Sequence, residues 1–130
     1  AADYVTRAGH RVEAARLLFD RQSFADVVRE CQEIVELSLK ALLQTSLIEM
    51  PHLHDVGPLL LEHQKRLPVS IQPHTAALAK ISKNLRRDRE LAFYGSQDIT
   101  PSDFYKQDDA RQALDDAAWV QSICRSVVIG

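Results

Sequence analysis

Glycine and proline are scarce in this chain, at 4 and 5 of 130 residues, and aromatic residues reach only 6%. A sandwich or barrel of short strands needs frequent turn residues and runs of β-branched and aromatic side chains, so both are excluded in favour of long helices. Charge of one sign is lacking too. The 16 Lys and Arg against 18 Asp and Glu leave a net charge of −2. That excludes a global basic field of the kind that grips duplex nucleic acid by phosphate contacts alone, while leaving room for a local basic patch. No apolar run reaches the ~18 residues of a membrane span, and no charged-then-apolar leader is present. The expectation is a cytoplasmic protein, neither secreted nor membrane-spanning. Only two cysteines occur, Cys31 and Cys124, each inside a helical pattern, and two buried thiols are expected rather than a disulfide.

Motifs are missing as well. The four scattered glycines form neither a phosphate-gripping P-loop nor a dinucleotide fingerprint, and there is no Gly-x-Ser-x-Gly elbow or Cys-x-x-Cys pair. Nucleophilic hydrolase and redox chemistry are therefore unsupported, and no cofactor is expected. Five histidines are present, at 10, 52, 54, 63 and 74. His52 and His54 flank a loop position beside Asp55, but no histidine at the four-residue helical spacing joins them, so no metal site is expected.

What remains is 45% hydrophobic and 26% charged, an ordinary globular balance for one domain spanning residues 1–130. Tyr4, Ala8, Val12, Ala15 and Phe19, with Val5 and Leu18, repeat at three and four from about Asp3 to Gln22, an amphipathic helix. Gly9 weakens that helix by ~1 kcal/mol relative to alanine and marks a close approach. Ser23 is a candidate N-cap for a second helix to about Ile48, its hydroxyl accepting from a first-turn amide. Phe24, Val27, Val28, Cys31, Ile34, Val35, Leu42 and Leu43 give that helix a face broad enough for the centre of a bundle. Glu36 and Lys40 are spaced for a surface ion pair.

Pro51 ends the second helix. A short helix is expected from about Val56 to Arg66, with Leu59, Leu60 and Leu67 facing inward. A longer one follows from about Pro73 to Phe93 or Tyr94, with Ala77, Leu78, Ile81, Leu85 and Ala92 as its inner stripe and Gly95 as its left-handed cap. A polar loop from Ser96 to Lys106 leads to a last helix, N-capped by Asp108 and carrying Ala110, Ala113, Leu114, Ala117, Val120, Cys124, Val127 and Val128 inward. The fold class is all-α, four long helices and one short one in one bundle.

The one concentration of chemistry is Arg86-Arg87-Asp88-Arg89-Glu90-Leu91-Ala92-Phe93-Tyr94-Gly95. Three arginines near a helix end suit the macrodipole and an anion. Arg87, Leu91 and Tyr94 fall on one helical face, where a guanidinium and a phenol can clamp a phosphate and stack on a base. The same residues also fit a plain structural role, with Arg86 and Glu90 as a helical ion pair and Tyr94 anchoring the helix end.

This stretch, the loop with Tyr105, Asp109-Ala110 opening an Ala-rich last helix, and Glu36-Leu37-Ser38-Leu39-Lys40-Ala41-Leu42-Leu43 in the second helix together resemble the HEPN family over nearly the whole chain. His54, followed by a short leucine-rich helix, also fits. The resemblance implies an up-and-down helical bundle, a homodimer, and a gene beside a minimal nucleotidyltransferase in a two-component, toxin–antitoxin-like module. Many members are metal-independent endoribonucleases with an Arg, four to six intervening residues, then a His, at a dimer cleft; some toxins add a Tyr two residues after the His. Arg87 and Tyr94 match that pattern, but Ala92 occupies the histidine position, and a methyl group neither takes nor gives a proton. The resemblance thus implies a nucleotidyltransferase partner that binds nucleotide or RNA through Arg86, Arg87 and Tyr94 without the usual catalytic histidine. Two alternatives stay open: a ribonuclease toxin using Arg87, Arg89, Glu90 or Tyr94 in an altered constellation, and a structural or nucleotide-binding bundle with no catalysis.

Overall fold

The computed structural model describes residues 1–50, 56–94 and 105–130, with the backbone alone for 87–94. The described residues form α1 (Ala2–Asp20), α2 (Phe24–Thr45), α3 (Val56–Glu62), α4 (Thr75–Tyr94) and α5 (Gln107–Val128), with 3-10 turns at Gln64–Arg66 and Gln72–His74 and no strand among them. The all-α class read from periodicity is the class observed. Gly95, the loop 96–104, and His52, His54 and Asp55 lie outside the described residues.

Helix α2 is the centre. Thirteen of its 22 residues are buried, which a helix lying on only one neighbour cannot achieve. Ile34, Leu39, Leu42 and Leu43 are completely enclosed, and Ser38 is accommodated because its hydroxyl donates to the Ile34 carbonyl at 2.7 Å. The predicted apolar face is the buried one.

Helix α1 runs back along α2. At their junction the Phe19 and Phe24 rings lie 5.6 Å apart, and farther along Arg11 Nη1 meets Glu30 Oε1 at 2.7 Å. On its other side α1 meets α5 in the opposite sense: Arg111 of the first turns covers the Phe19 ring at 4.7 Å, and Gln121 Nε2 donates to the Val5 carbonyl at 3.2 Å. The close approach expected at Gly9 is this one, since a Cβ there would lie 3.2 Å from Gln121 Nε2. At the start of α4, His74 stands edge-on to Trp119 of α5 at 5.4 Å. Helix α3 lies against α4, where a Cβ on Gly57 would come within 3.3 Å of the Ala79 carbonyl oxygen.

Several local expectations are corrected. Ser23 occupies the N-cap of α2, but its hydroxyl makes no cap bond; it donates to Asp26 Oδ2 at 2.6 Å. A carboxylate three residues on, at the positive end of the helix, is the stronger acceptor. The cap of α5 is Lys106 and not Asp108: the Asp109 carboxylate accepts the Lys106 amide at 3.0 Å, so the helix begins two residues earlier than the Asp108 reading placed it. The short helix stops at Glu62 and tightens into a 3-10 turn, because Gln64 and Gln72 spend their amides on backbone carbonyls, Gln64 on Gln72 at 2.9 Å and Gln72 on Leu67 at 2.9 Å. Ala77 is exposed; Ala79 and Ser82 stand in the inner stripe of α4 instead. Helix α1 ends two residues and α2 three residues before the expected boundary, each through a left-handed residue that is not glycine. Gln22 has φ 63° and Leu47 φ 59°. The amides of Ser23 and Ile48 reach back to Leu18 and Leu43 at 3.0 and 2.9 Å, and those of Gln22 and Leu47 to Phe19 and Gln44 at 2.9 and 3.1 Å. This is the Schellman closure of a helix end.

Candidate nucleotide or RNA site

The arginine-rich stretch sits on the last turns of α4, which stays helical through Tyr94. Positions 87, 91 and 94 therefore keep the spacings of four and three that place them on one face. The arginines precede the final turn and do not occupy it, so the helix dipole gives them less than their nearness to the end suggested. The side chains of Arg87, Arg89, Glu90 and Tyr94, and the Arg86–Glu90 pair, lie outside what the structure describes.

Arg86 is half-buried and can be placed. It closes a small cavity between α2 and α4 with Gln32, Val35 and Glu36 of α2, Val56 of α3, and Ser82 and Leu85 of α4. The cavity measures about 10 Å³, room for about one water. Gln32 and Ser82 are buried, at 4% and 8% exposure, a polar insertion in an otherwise apolar seam. Gln32 Nε2 donates to Glu36 Oε1 at 2.5 Å. Glu36 thus turns toward Gln32 and this cavity, and the predicted surface pair with Lys40 does not form. Both partners lie four residues from Glu36, and the buried amide wins because no water competes for it.

Gln32, Glu36 and Ser82 were missed as candidate residues. The available signal was polar side chains at helical spacing within apolar stripes, at 32 and 36 on one helix and at 82 and 86 on the other. Tyr105, expected in a polar loop, is buried at 4% exposure just before α5.

Other chemistry is absent from the described residues. Cys31 and Cys124 are free and buried, as expected. Burial pushes both thiols up to about 12, with the Glu30 and Asp116 carboxylates adding to the effect at Cys31. Neither is a thiolate nucleophile at neutral pH. No group of three or more His, Cys, Asp or Glu among the described residues is placed to hold a metal. No helix among them is long and apolar enough to cross a membrane. An open groove of about 460 Å³ between α1 and α2 is lined by Arg11, Leu18, Asp26, Arg29, Glu30 and Glu33. Its carboxylates outnumber its arginines, and Arg11 is already committed to Glu30, so it is no anion site.

The described residues form a small all-helical domain whose sequence concentrates arginine on the last turns of α4. The chain matches the family model of the HEPN domain over residues 1–127. It belongs to the HEPN family, and that membership supports a nucleotide- or RNA-related function. No curated protein and no solved structure is significantly similar to it.

Proposed function

We propose that this is a HEPN protein that binds nucleotide or RNA at the end of α4 and acts with a minimal nucleotidyltransferase in a two-component, toxin–antitoxin-like module. The observation that carries the reading is the sequence of the helix end: Arg87 and Tyr94 stand where the family's Arg and Tyr stand, and Ala92 stands where its histidine would. Arginine supplies a bidentate grip on phosphate and tyrosine a stacking face. Alanine supplies no proton, so the phosphodiester is held and left uncut.

Opposite-running α1 and α2, and α1 and α5, support the further reading of the fold as an up-and-down bundle of four long helices and one short one. The protein is expected in the cytoplasm and as a homodimer, with two copies bringing their α4 ends to one cleft. Light scattering tests the dimer: a mass twice the 14.7 kDa of the chain is expected, and a monomer mass at micromolar concentration contradicts it.

Co-expression with the minimal nucleotidyltransferase encoded beside the gene tests the module. A complex that survives purification is expected; two proteins that separate, or a gene with no such neighbour, contradict it. Titration with ATP and with single-stranded RNA, wild type against Arg87→Ala, tests the site. Binding that Arg87→Ala weakens tenfold or more, about the 1.4 kcal/mol of one charge-assisted contact, is expected. Equal, negligible binding by both proteins leaves only the structural bundle.

A further inference from the structure

Acidic residues are missing from one part of the chain. Between Glu62 and Asp88 stand six of its 16 lysines and arginines and none of its 18 carboxylates, in a protein whose net charge is −2. On α1 and α2, exposed arginines have acids on their own helix: Arg7 meets Asp3 at 3.9 Å and Arg29 meets Asp26 at 3.8 Å. Lys80 and Lys83 of α4 have none. Both are exposed, and their helical neighbours three and four residues away include no acid. Among the described residues, no carboxylate of another helix forms an ion pair with either.

Like charges one turn apart repel, so the pair contributes nothing to the helix. The two lysines also share a ridge. At roughly 100° per residue, positions 80 and 83 lie within about 60° of each other and of the exposed Ala76. Ser82 and Leu85, on the other side of the helix, are buried, so the ridge faces solvent. The backbone stays helical through Tyr94, and positions 87 and 94 fall within the same arc. From position 80 to position 94 the ridge is about 21 Å long, the length of roughly six stacked nucleotides. A mononucleotide covers one end of it.

No large apolar side chain is exposed on the described part of α4. A protein-binding patch has an apolar or aromatic centre, whereas a row of unpaired cations along a helix is the footprint of a phosphate chain. We infer that the ligand is a single RNA strand whose phosphates run from the end of α4 back along this ridge, held by Lys83 and Lys80. The inference rests on the nucleotide- or RNA-binding reading of that end, and it selects a strand of several phosphates over a free nucleotide.

The probe is a fluorescein-labelled oligouridylate of about 12 nucleotides, its binding followed by anisotropy from about 50 to 200 mM salt. Each phosphate contact on a single strand contributes about 0.7 to the fall of log K with log salt. Lys80→Gln/Lys83→Gln is expected to flatten that slope by about 1.4 and to weaken binding roughly tenfold or more at 0.1 M salt. It is expected to melt no lower than wild type, because glutamine suits a helix as well as lysine does and a repulsion is removed. Loss of fold does not produce that combination. Lys80→Arg/Lys83→Arg keeps both charges and is expected to bind as wild type does. Arg16→Gln/Arg125→Gln removes two exposed cations from α1 and α5 and is expected to keep the wild-type slope.

A slope that Lys80→Gln/Lys83→Gln leaves unchanged, or that Arg16→Gln/Arg125→Gln flattens as much, overturns the RNA track. The reading of the helix end then still stands if wild type binds and Arg87→Ala does not. An oligoglutamate of the same length that binds as tightly as the RNA, and through the same two lysines, overturns the track in favour of an acidic protein partner. Absence of RNA binding by wild type overturns both the track and the reading of the helix end.

Discussion

Gln121 reaches the Val5 carbonyl because residue 9 has no side chain. Its Nε2 lies 3.2 Å from that oxygen and would lie 3.2 Å from a Cβ on Gly9. The contact joins the first helix to the last across nearly the whole sequence. It also sets two opposing terms against each other. Gly9→Ala gains about 1 kcal/mol of helix propensity and crowds a hydrogen bond of similar worth. Denaturant melts are therefore expected to move by less than about 0.5 kcal/mol for Gly9→Ala alone, and to rise by about 1 kcal/mol when the same change is made in a Gln121→Ala background. Equal effects in the two backgrounds would show that the glycine is not there for the glutamine.

Gly57 presents the opposite case. Its missing Cβ would meet the Ala79 carbonyl oxygen at 3.3 Å and the Ala79 Cα at 3.5 Å, and a helix backbone cannot swing aside as an amide tip can. Gly57→Ala is expected to destabilise by about 1–3 kcal/mol, the range of overpacked cores. The check is the melting midpoint, with the far-UV helix signal compared at 25 °C. An alanine tolerated without loss would contradict the packing of α3 on α4.

Leu47 is 81% exposed with φ 59°, so it meets neither a core nor its own preferred backbone. Only glycine takes that conformation without a Cβ penalty of roughly 1–2 kcal/mol. Leu47→Gly is expected to raise stability by about 0.5–1 kcal/mol after the added freedom of the unfolded chain is subtracted. A lower melting temperature would mean that the leucine side chain makes a contact in solution that the isolated chain lacks.

The two thiols give the protein an alkaline liability. Each is neutral in the fold up to about pH 12, while an unfolded cysteine ionises from about 8.5. A folded pKa above the unfolded one means that stability is complete below the unfolded value and is lost as pH rises toward the folded one. Urea midpoints are expected to hold from pH 7 to 8 and then to fall between about 9 and 12, at up to ~1.4 kcal/mol per pH unit for each thiol. The Cys31→Ala/Cys124→Ala variant should show a shallower fall from a lower starting point, since each side chain also fills the core. A thiol reagent at pH 8 should label neither cysteine until the chain unfolds; rapid labelling would contradict their burial.

The buried stripes of α1, α2 and α5 were legible because period and burial are the same fact written twice. Val5, Ala8, Val12 and Ala15 recur at three and four and are buried. Helix ends were less so. Gln22 and Leu47 close their helices in a conformation that favours glycine, and nothing in a glutamine or a leucine announces this; backbone hydrogen bonds decide it. The arginine-rich end of α4 was legible as a motif and as a helix. Its backing was not. Glu36 stands four residues from both Gln32 and Lys40, so spacing cannot choose between a buried and a solvated partner. The choice is made by the approach of Ser82 and Arg86, which only the pairing of α2 with α4 reveals.

We expect the end of α4 to hold RNA and to leave it uncut. End-labelled single-stranded RNA, titrated with the purified chain in EDTA and run in parallel on native and denaturing gels, tests this most directly. A saturable shift on the native gel, lost with Arg87→Ala, and full-length RNA on the denaturing gel at every protein concentration are expected. Shortened RNA that appears with wild type and disappears with Arg87→Ala would contradict it, because some other group, with Glu90 the nearest acid in sequence, would then be moving the proton that Ala92 cannot.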